Sequence, residues 1–189
     1  MDLTRALPLT TDRLLLRPFV PEDPEDIDGM YAYHRLPEVA RHLYRPPRTR
    51  EQCAAVVTDA ATLPTWENDG DALILAAERA VAPGVIGEIV LRCASAHARQ
   101  TEIGWTLHPA HGGRGYATEA AAALAAFAFD TLRTHRLFAR LDVENTASAR
   151  LCGRLGMRRE AHLVENDLDG DRWGSEYVYA ALTHELRRA

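Results

Sequence analysis

The chain lacks most of the features that assign a sequence quickly. No apolar run approaches the roughly 20 residues needed to cross a bilayer. The first segment, Met1 to Pro8, carries no secretory apolar region. Only three cysteines occur, Cys53, Cys93 and Cys152, an odd number spaced like neither a zinc site nor a disulfide framework. Positive charge is not in excess: 22 Lys and Arg stand against 27 Asp and Glu, for a net charge of -5 and a pI of about 5.9. Nucleic-acid-binding domains usually show a basic footprint, so that class is set aside, while room is left for a cationic substrate. No internal repeat, low-complexity segment or linker divides the chain. These absences predict a soluble cytoplasmic protein, with no metal, no nucleic acid and no membrane among its partners, as monomer or homodimer.

What is present begins with 189 residues that are 47% hydrophobic, enough for one well-buried core and hence a single domain over 1–189. The most informative stretch runs from Glu102 to Glu119. Ile103, Trp105 and Leu107 alternate with Glu102, Gly104, Thr106 and His108, the period of a strand. Pro109 ends it. Gly112, Gly113 and Gly115 then allow a tight turn and close backbone approach to a ligand. From Tyr116 to about Leu132 the pattern is helical, with Leu124, Phe127, Ala128 and Leu132 as its apolar stripe. A glycine turn at a helix N-terminus offers free N–H groups and the positive end of the dipole, so it is a candidate anion site.

The rest of the chain frames this unit. Strands are predicted over 14–20, 72–78, 85–92, 102–108, 137–143, 158–168 and 172–182. Val81 to Gly84 reads as a turn, Gly87 as a bulge or a close backbone approach, and Asp169-Gly170 as a type I′ hairpin turn. The acidic run Pro21 to Asp26 suits the N-terminus of a helix carrying Ile27, Met30, Tyr31 and His34. A short helical piece follows over 38–43. Arg41 to Arg50 is a basic, proline-containing connector. Thr49 and Gln52 make a capping box for a helix stopped by Pro64. Asn145 caps a helix that Gly156 closes. A strand, helix and strand over 102–143 implies a parallel pair with a right-handed crossover, between antiparallel neighbours.

The glycine turn lacks the Lys-Ser/Thr of a P-loop, and Thr118 stands where the third glycine of a dinucleotide fingerprint should fall. It does resemble another anion loop. Gly112-Gly-Arg-Gly-Tyr-Ala117, followed by Thr118-Glu-Ala120, looks like the acetyl-CoA pyrophosphate loop of the GNAT acyltransferase superfamily, Q/R-x-x-G-x-G/A. Gly115 and Ala117 match its last two positions, and Gly112 replaces the usual Gln or Arg. Leu9-Thr-Thr-Asp-Arg-Leu-Leu-Leu-Arg-Pro18 and Asn145-Thr-Ala-Ser148, with Leu151 and Leu155-Gly-Met157, resemble the branch that includes ribosomal-protein alanine N-acetyltransferases. The similarity spans essentially the whole chain.

The resemblance implies an α+β fold: a mostly antiparallel twisted sheet of about seven strands, with a splayed parallel fourth and fifth pair, flanked by about four helices. It implies direct acetyl transfer from acetyl-CoA to a primary amine, either a protein N-terminus or a small molecule. Main-chain N–H groups of Gly113, Arg114, Gly115, Tyr116 and Ala117 would hold the pyrophosphate, with Gly112 and Thr118 also at the cofactor. Trp105, Thr106 and Leu107 would pair with the pantetheine arm inside the splay, and a backbone N–H of the same strand would stabilise the oxyanion. Asn145 would bond the arm, and Ser148 would protonate or hydrogen-bond the leaving thiolate. Glu102 is the expected proton acceptor, with His108 and His111 as rivals, because a protonated amine must lose its proton before it can attack. The acidic segment Glu165 to Asp171 could draw a cationic amine. Tyr177 and Tyr179 read as packing. The alternatives are a non-catalytic acyl-CoA sensor and a nucleotide-binding enzyme that uses the same loop.

Overall fold

The computed structural model describes residues 3–186. Among them are eight strands, five α-helices and short 3-10 turns. The strands are β1 (Leu9–Thr10), β2 (Leu14–Pro18), β3 (Ala72–Arg79), β4 (Ala82–Ser95), β5 (Gln100–Leu107), β6 (Arg136–Asp142), β7 (Arg158–Asp169) and β8 (Arg172–Leu182). The helices are α1 (Pro24–His34), α2 (Pro37–Ala40), α3 (Arg50–Ala60), α4 (Tyr116–Asp130) and α5 (Thr146–Leu155). All eight strands form one sheet in the order β1-β2-β3-β4-β5-β6-β8-β7, antiparallel except for β5 and β6. The architecture is α+β as expected. The two-residue β1 raises the strand count to eight, so the expected fourth and fifth strands are β5 and β6. The one-turn α2 brings the helices to five.

Two layers of side chains cover the sheet. Leu16, Leu75, Leu91, Ile103 and Leu137 pack with Leu124 and Ala128 of α4 and Leu151 of α5. The small side chains Ala120, Ala121, Ala125 and Ala128 are all buried, which lets α4 lie close to the strands. On the other face, Phe19, Ala76, Met30, Tyr33, Cys53 and Val57 seat α1 and α3. The local signals behave as the sequence suggests. Thr49 and Gln52 form a reciprocal capping box, Asn145 Oδ1 accepts from Ser148 N, and Gly156 closes α5 at φ 86°.

Two turns differ from expectation. Pro83 and Gly84 lie within β4, and the chain reverses at Ala80 and Val81. Register shifts between Ala77 and Arg79 place the bulge there. Gly87 borders one of these shifts, since Ala77 faces Gly87 and Glu78 faces Val85, and it is also a close approach: a Cβ on it would meet Thr106 O at 2.4 Å. The last hairpin turns on Gly170 and Asp171, one residue later than expected, with Asp169 opposite Arg172.

All three cysteines are buried and unpaired. Burial raises each thiol pKa, that of Cys152 to about 12. The thiolate is the reactive form. The folded protein is therefore expected to leave Ellman's reagent unreacted at pH 8, whereas the denatured chain releases three equivalents.

Candidate acyl-CoA and amine site

The site forms where the sheet opens. β5 pairs with β6 only from Gln100 to Glu102, yet stays paired with β4 as far as Leu107. Beyond Glu102, β5 and β6 part. His108 N donates to Ile86 O (2.8 Å). Antiparallel alternation then turns the main-chain groups of Thr106 and Gly104 toward β4, and those of Trp105 and Leu107 toward the gap. The N–H and C=O of Trp105 and Leu107 are thus the ones open to an amide-bearing arm; Thr106 contributes its side chain alone.

A cavity of about 600 Å³ occupies the opening. Trp105, Thr106, Leu107, Asn145 and Ser148 line it near the splay; Gly112, Gly113, Gly115, Tyr116, Ala117 and Thr118 line it near the glycine loop. Arg114 is not in the wall; its carbonyl accepts from Arg13 Nη1 (2.9 Å). Gly112 N is already bonded to Pro109 O (2.9 Å), so its N–H is not free for a ligand. Gly113 and Gly115 adopt φ of 73° and 82°. Gly115 is the N-cap of α4, and no side chain caps that terminus. The first N–H groups of a helix lack intrahelical partners, so α4 presents bare donors and the positive end of its dipole to the cavity.

The loop is braced from outside by two of the sequence motifs. Thr11 Oγ1 and Arg13 N both donate to Glu119 Oε1 (2.6 and 2.8 Å), and Arg13 Nε donates to Glu119 Oε2 (2.6 Å). The Arg13 guanidinium also lies over the Tyr116 ring, 4.8 Å from its centroid. Burial works to raise the Glu119 pKa, but bonds from Thr11 and Arg13 outweigh it, so the net shift is downward. The brace is therefore present above the unfolded carboxylate pKa and is lost as pH falls through the lower folded value. Hydrogen bonds to charged groups are worth about 1.5–3 kcal/mol, so Glu119→Gln is expected to weaken acetyl-CoA binding by roughly tenfold, measured by calorimetry.

At the other end, the Trp105 indole N–H reaches across to Ser148 Oγ (3.1 Å). An indole nitrogen only donates, so Ser148 accepts there and its own O–H remains to donate. Asn145 uses Oδ1 to cap α5 (3.0 Å); among the described residues its Nδ2 has no partner.

Glu102 does not line this cavity. It sits opposite Arg92 and Phe138, in the last row before the strands part. Burial raises its pKa, against the opposing charges of Arg140 and Arg92. Ser148 and Glu102 are therefore not brought into one cavity. His111 lines the wall, with its buried Nδ1 unpartnered, while His108 Nδ1 accepts from Ala110 N (3.1 Å). In the acidic segment, the Asn166 amide donates to Glu176, which Arg140 also holds. Tyr177 and Tyr179 pack edge to face, and Arg159 covers Tyr177.

A sequence profile of the acetyltransferase (GNAT) domain matches residues 13–158. The chain belongs to the GNAT family. This GNAT protein is 32% identical over 183 residues to the uncharacterized N-acetyltransferase YnaD of Bacillus subtilis strain 168, covering 94% of this chain and 98% of the relative. A GNAT acetyltransferase from Bacillus anthracis has the same fold, with a TM-score of 0.82 at 27% identity over 95% of this chain and all of the other. A spermidine N-acetyltransferase from Vibrio cholerae, solved with CoA and spermine, shares the fold at TM-score 0.76 and 19% identity, over 93% of this chain and 98% of that one. The protein is an acyltransferase. No helix among the described residues is long and apolar enough to cross a membrane.

Several wall residues of this GNAT enzyme escape a reading of its sequence. Arg150 and Arg154 line the cavity from α5, and Arg154 donates to Thr118 Oγ1 (3.1 and 3.0 Å). Their i, i+4 spacing puts both on one helix face and is the signal that could have found them. Glu38, Val39, His42 and Leu43 close the cavity from α2 and the turn after it; no local pattern announces them.

Proposed function

We propose that the protein transfers the acetyl group of acetyl-CoA directly to a primary amine. The observation that carries this reading is the continuity of one cavity, from the uncapped N-terminus of α4 to the parted edge of β5 and the free O–H of Ser148. The donor set suits the ligand from end to end. Main-chain N–H groups of Gly113, Gly115, Tyr116 and Ala117, with Arg150 and Arg154, would meet a pyrophosphate. The N–H and C=O of Trp105 and Leu107 and the Asn145 amide would pair with an amide-bearing arm, replacing the bonds β5 lacks on that side.

In this reading the neutral amine attacks the thioester carbonyl carbon. A β5 main-chain N–H stabilises the developing oxyanion, and preorganised donors of this kind are worth several kcal/mol in a water-poor site. Ser148 donates its hydrogen bond to the sulfur as the thiolate leaves. No acyl-enzyme is needed, since the three thiols are buried and unreactive. The acceptor is a small amine or a protein N-terminus that enters beside His42 and Leu43. Calorimetric titration with acetyl-CoA, ATP and NAD tests the ligand. Binding of acetyl-CoA with no binding of the other two is expected; binding of ATP or NAD without acetyl-CoA would make the cavity a nucleotide site.

A further inference from the structure

We propose that His42, oriented by Asp142, is the group that removes the proton from the attacking amine. The inference rests on the amine-acetylation reading above.

Three observations lead to it. First, His42 lines the same cavity as Trp105 and Ser148, whereas Glu102 does not. Second, the Nδ1 of His42 is buried and has no hydrogen-bond partner. It faces the carboxylate of Asp142 at 3.8 Å, and the side chains of His42 and Asp142 are 18% and 4% exposed. Third, the tautomer follows from the neighbours. Arg41 Nε donates to His42 Nε2 (3.2 Å), and an arginine cannot accept, so Nε2 carries the lone pair and Nδ1 carries the hydrogen. An imidazole whose N–H faces a buried carboxylate, with its other nitrogen reached only by an exposed arginine, has the layout of a carboxylate-oriented base. Such contacts are often long before substrate arrives and tighten in the reactive complex.

Asp142 Oδ1 also accepts from Glu144 N (2.6 Å), which fixes the carboxylate in place; Glu102 lies outside the cavity, and Glu88 and Glu176 are committed elsewhere. Both Glu88 oxygens are taken, one by Tyr33 OH (3.2 Å) and one by His34 Nε2 (3.0 Å). Glu176 is held by Arg140 and Asn166. Burial and the Arg41 charge lower the His42 pKa, against the opposing charges of Asp142 and Glu144, so the ring is neutral and able to accept at pH 7. Tyr44, from the same turn, donates to Ser175 O and stays protonated beside Asp142. Arg172 lies 3.6 Å from Glu144.

The step balances. The amine lone pair forms the C–N bond, an N–H proton passes to His42 Nε2 after Arg41 swings aside, and the C–S bond breaks with its electron pair on the thiolate. The imidazolium then gives its proton to solvent.

The test uses spermidine and an alanine-terminated peptide as acceptors, with kcat followed against pH. General base removal costs roughly 10²–10⁴-fold. His42→Gln is expected to lose at least about 100-fold in kcat, with the KM for acetyl-CoA changed less than about threefold. Asp142→Asn should move the acid limb of the profile to lower pH, and Arg41→Gln should move it higher, because each removes a charge of opposite sign beside the ring. A packing role for Asp142 would move neither limb. Retained kcat and an unmoved limb in His42→Gln would overturn the inference, as would loss of the limb in Glu102→Gln alone. If the wild type turns over neither amine, the acetylation reading fails, and the dyad is judged separately by NMR titration of the His42 ring. A ring pKa below about 6.5 that falls further in Asp142→Asn supports the pair; an ordinary value that does not move overturns it.

Discussion

Replacing Gly115 by valine is expected to raise the dissociation constant for acetyl-CoA by at least about 100-fold, from two causes that add. Gly115 holds φ 82° and ψ 0°, the left-handed region. A residue with a Cβ pays about 1–2 kcal/mol there, and a β-branched one more. That Cβ would also lie 3.3 Å from Arg13 Nη2, the group that braces the loop. The chain escapes the strain by rotating out of the left-handed region, which turns away the N–H groups of Gly115, Tyr116 and Ala117. Bonds from such groups to a charged phosphate are worth about 1.5–3 kcal/mol each, so losing two accounts for the fall. Gly153 provides the contrast. It lies inside α5, at ordinary φ, with open space where a Cβ would go. Gly153→Ala should leave acetyl-CoA binding unchanged and stabilise the fold by about 0.5–1 kcal/mol, read from the denaturant midpoint.

The largest effect on stability is expected at Asp26. Its side chain is 1% exposed and takes a forked pair of bonds from Arg17 Nη1 and Nη2 (2.8 and 2.7 Å), with a third from Val20 N (2.8 Å). Arg17 also donates to Glu78 (2.7 Å), so one guanidinium joins β2, α1 and β3. The Asp26 bond and burial act on Arg17 in opposite directions, and the bond dominates, holding the guanidinium firmly protonated. Removing one partner of a buried pair costs about 3–5 kcal/mol, and the ion pair that Arg17 keeps with Glu78 puts this case at the lower end of that range. Asp26→Ala is therefore expected to lower the urea midpoint by that much free energy at unchanged slope. A loss under about 1 kcal/mol would mean that solvent reaches Arg17 freely and screens it as at a surface.

Sequence order alone suggests only that Pro21 to Asp26 is an acidic helix start. Asp23 fulfils that role, accepting from Glu25 N. Asp26 goes elsewhere because Arg17 arrives from a different element. The same distinction separates what is legible from what is not. The capping box at Thr49, the cap at Asn145, the closing glycine at Gly156 and the buried stripe of α4 depend on residues within a few positions of one another, so they can be read directly. The bulge at Pro83 and Gly84 depends on register against Ala77 to Arg79, and so resembles a turn from sequence. The face that Glu102 occupies follows from strand period, but the row at which β5 and β6 separate does not. That row decides that Trp105 and Leu107 reach the cavity while Glu102 stays behind. Trp105 and Ser148, 43 positions apart, and His42 and Asp142, 100 apart, meet only through the fold.

Release of free thiol from acetyl-CoA in the presence of an amine, with the mass of the product recorded, tests the acetyl-transfer reading most directly. The buried cysteines keep the enzyme itself silent in that assay. Across spermidine, alanine- and serine-terminated peptides and an aminoglycoside, thiol release matched mole for mole by an amine product 42 Da heavier is the expected result, since an acetyl group replaces one hydrogen. Tight binding of acetyl-CoA with no thiol released for any of these amines would contradict it, and would leave the cavity as an acyl-CoA sensor.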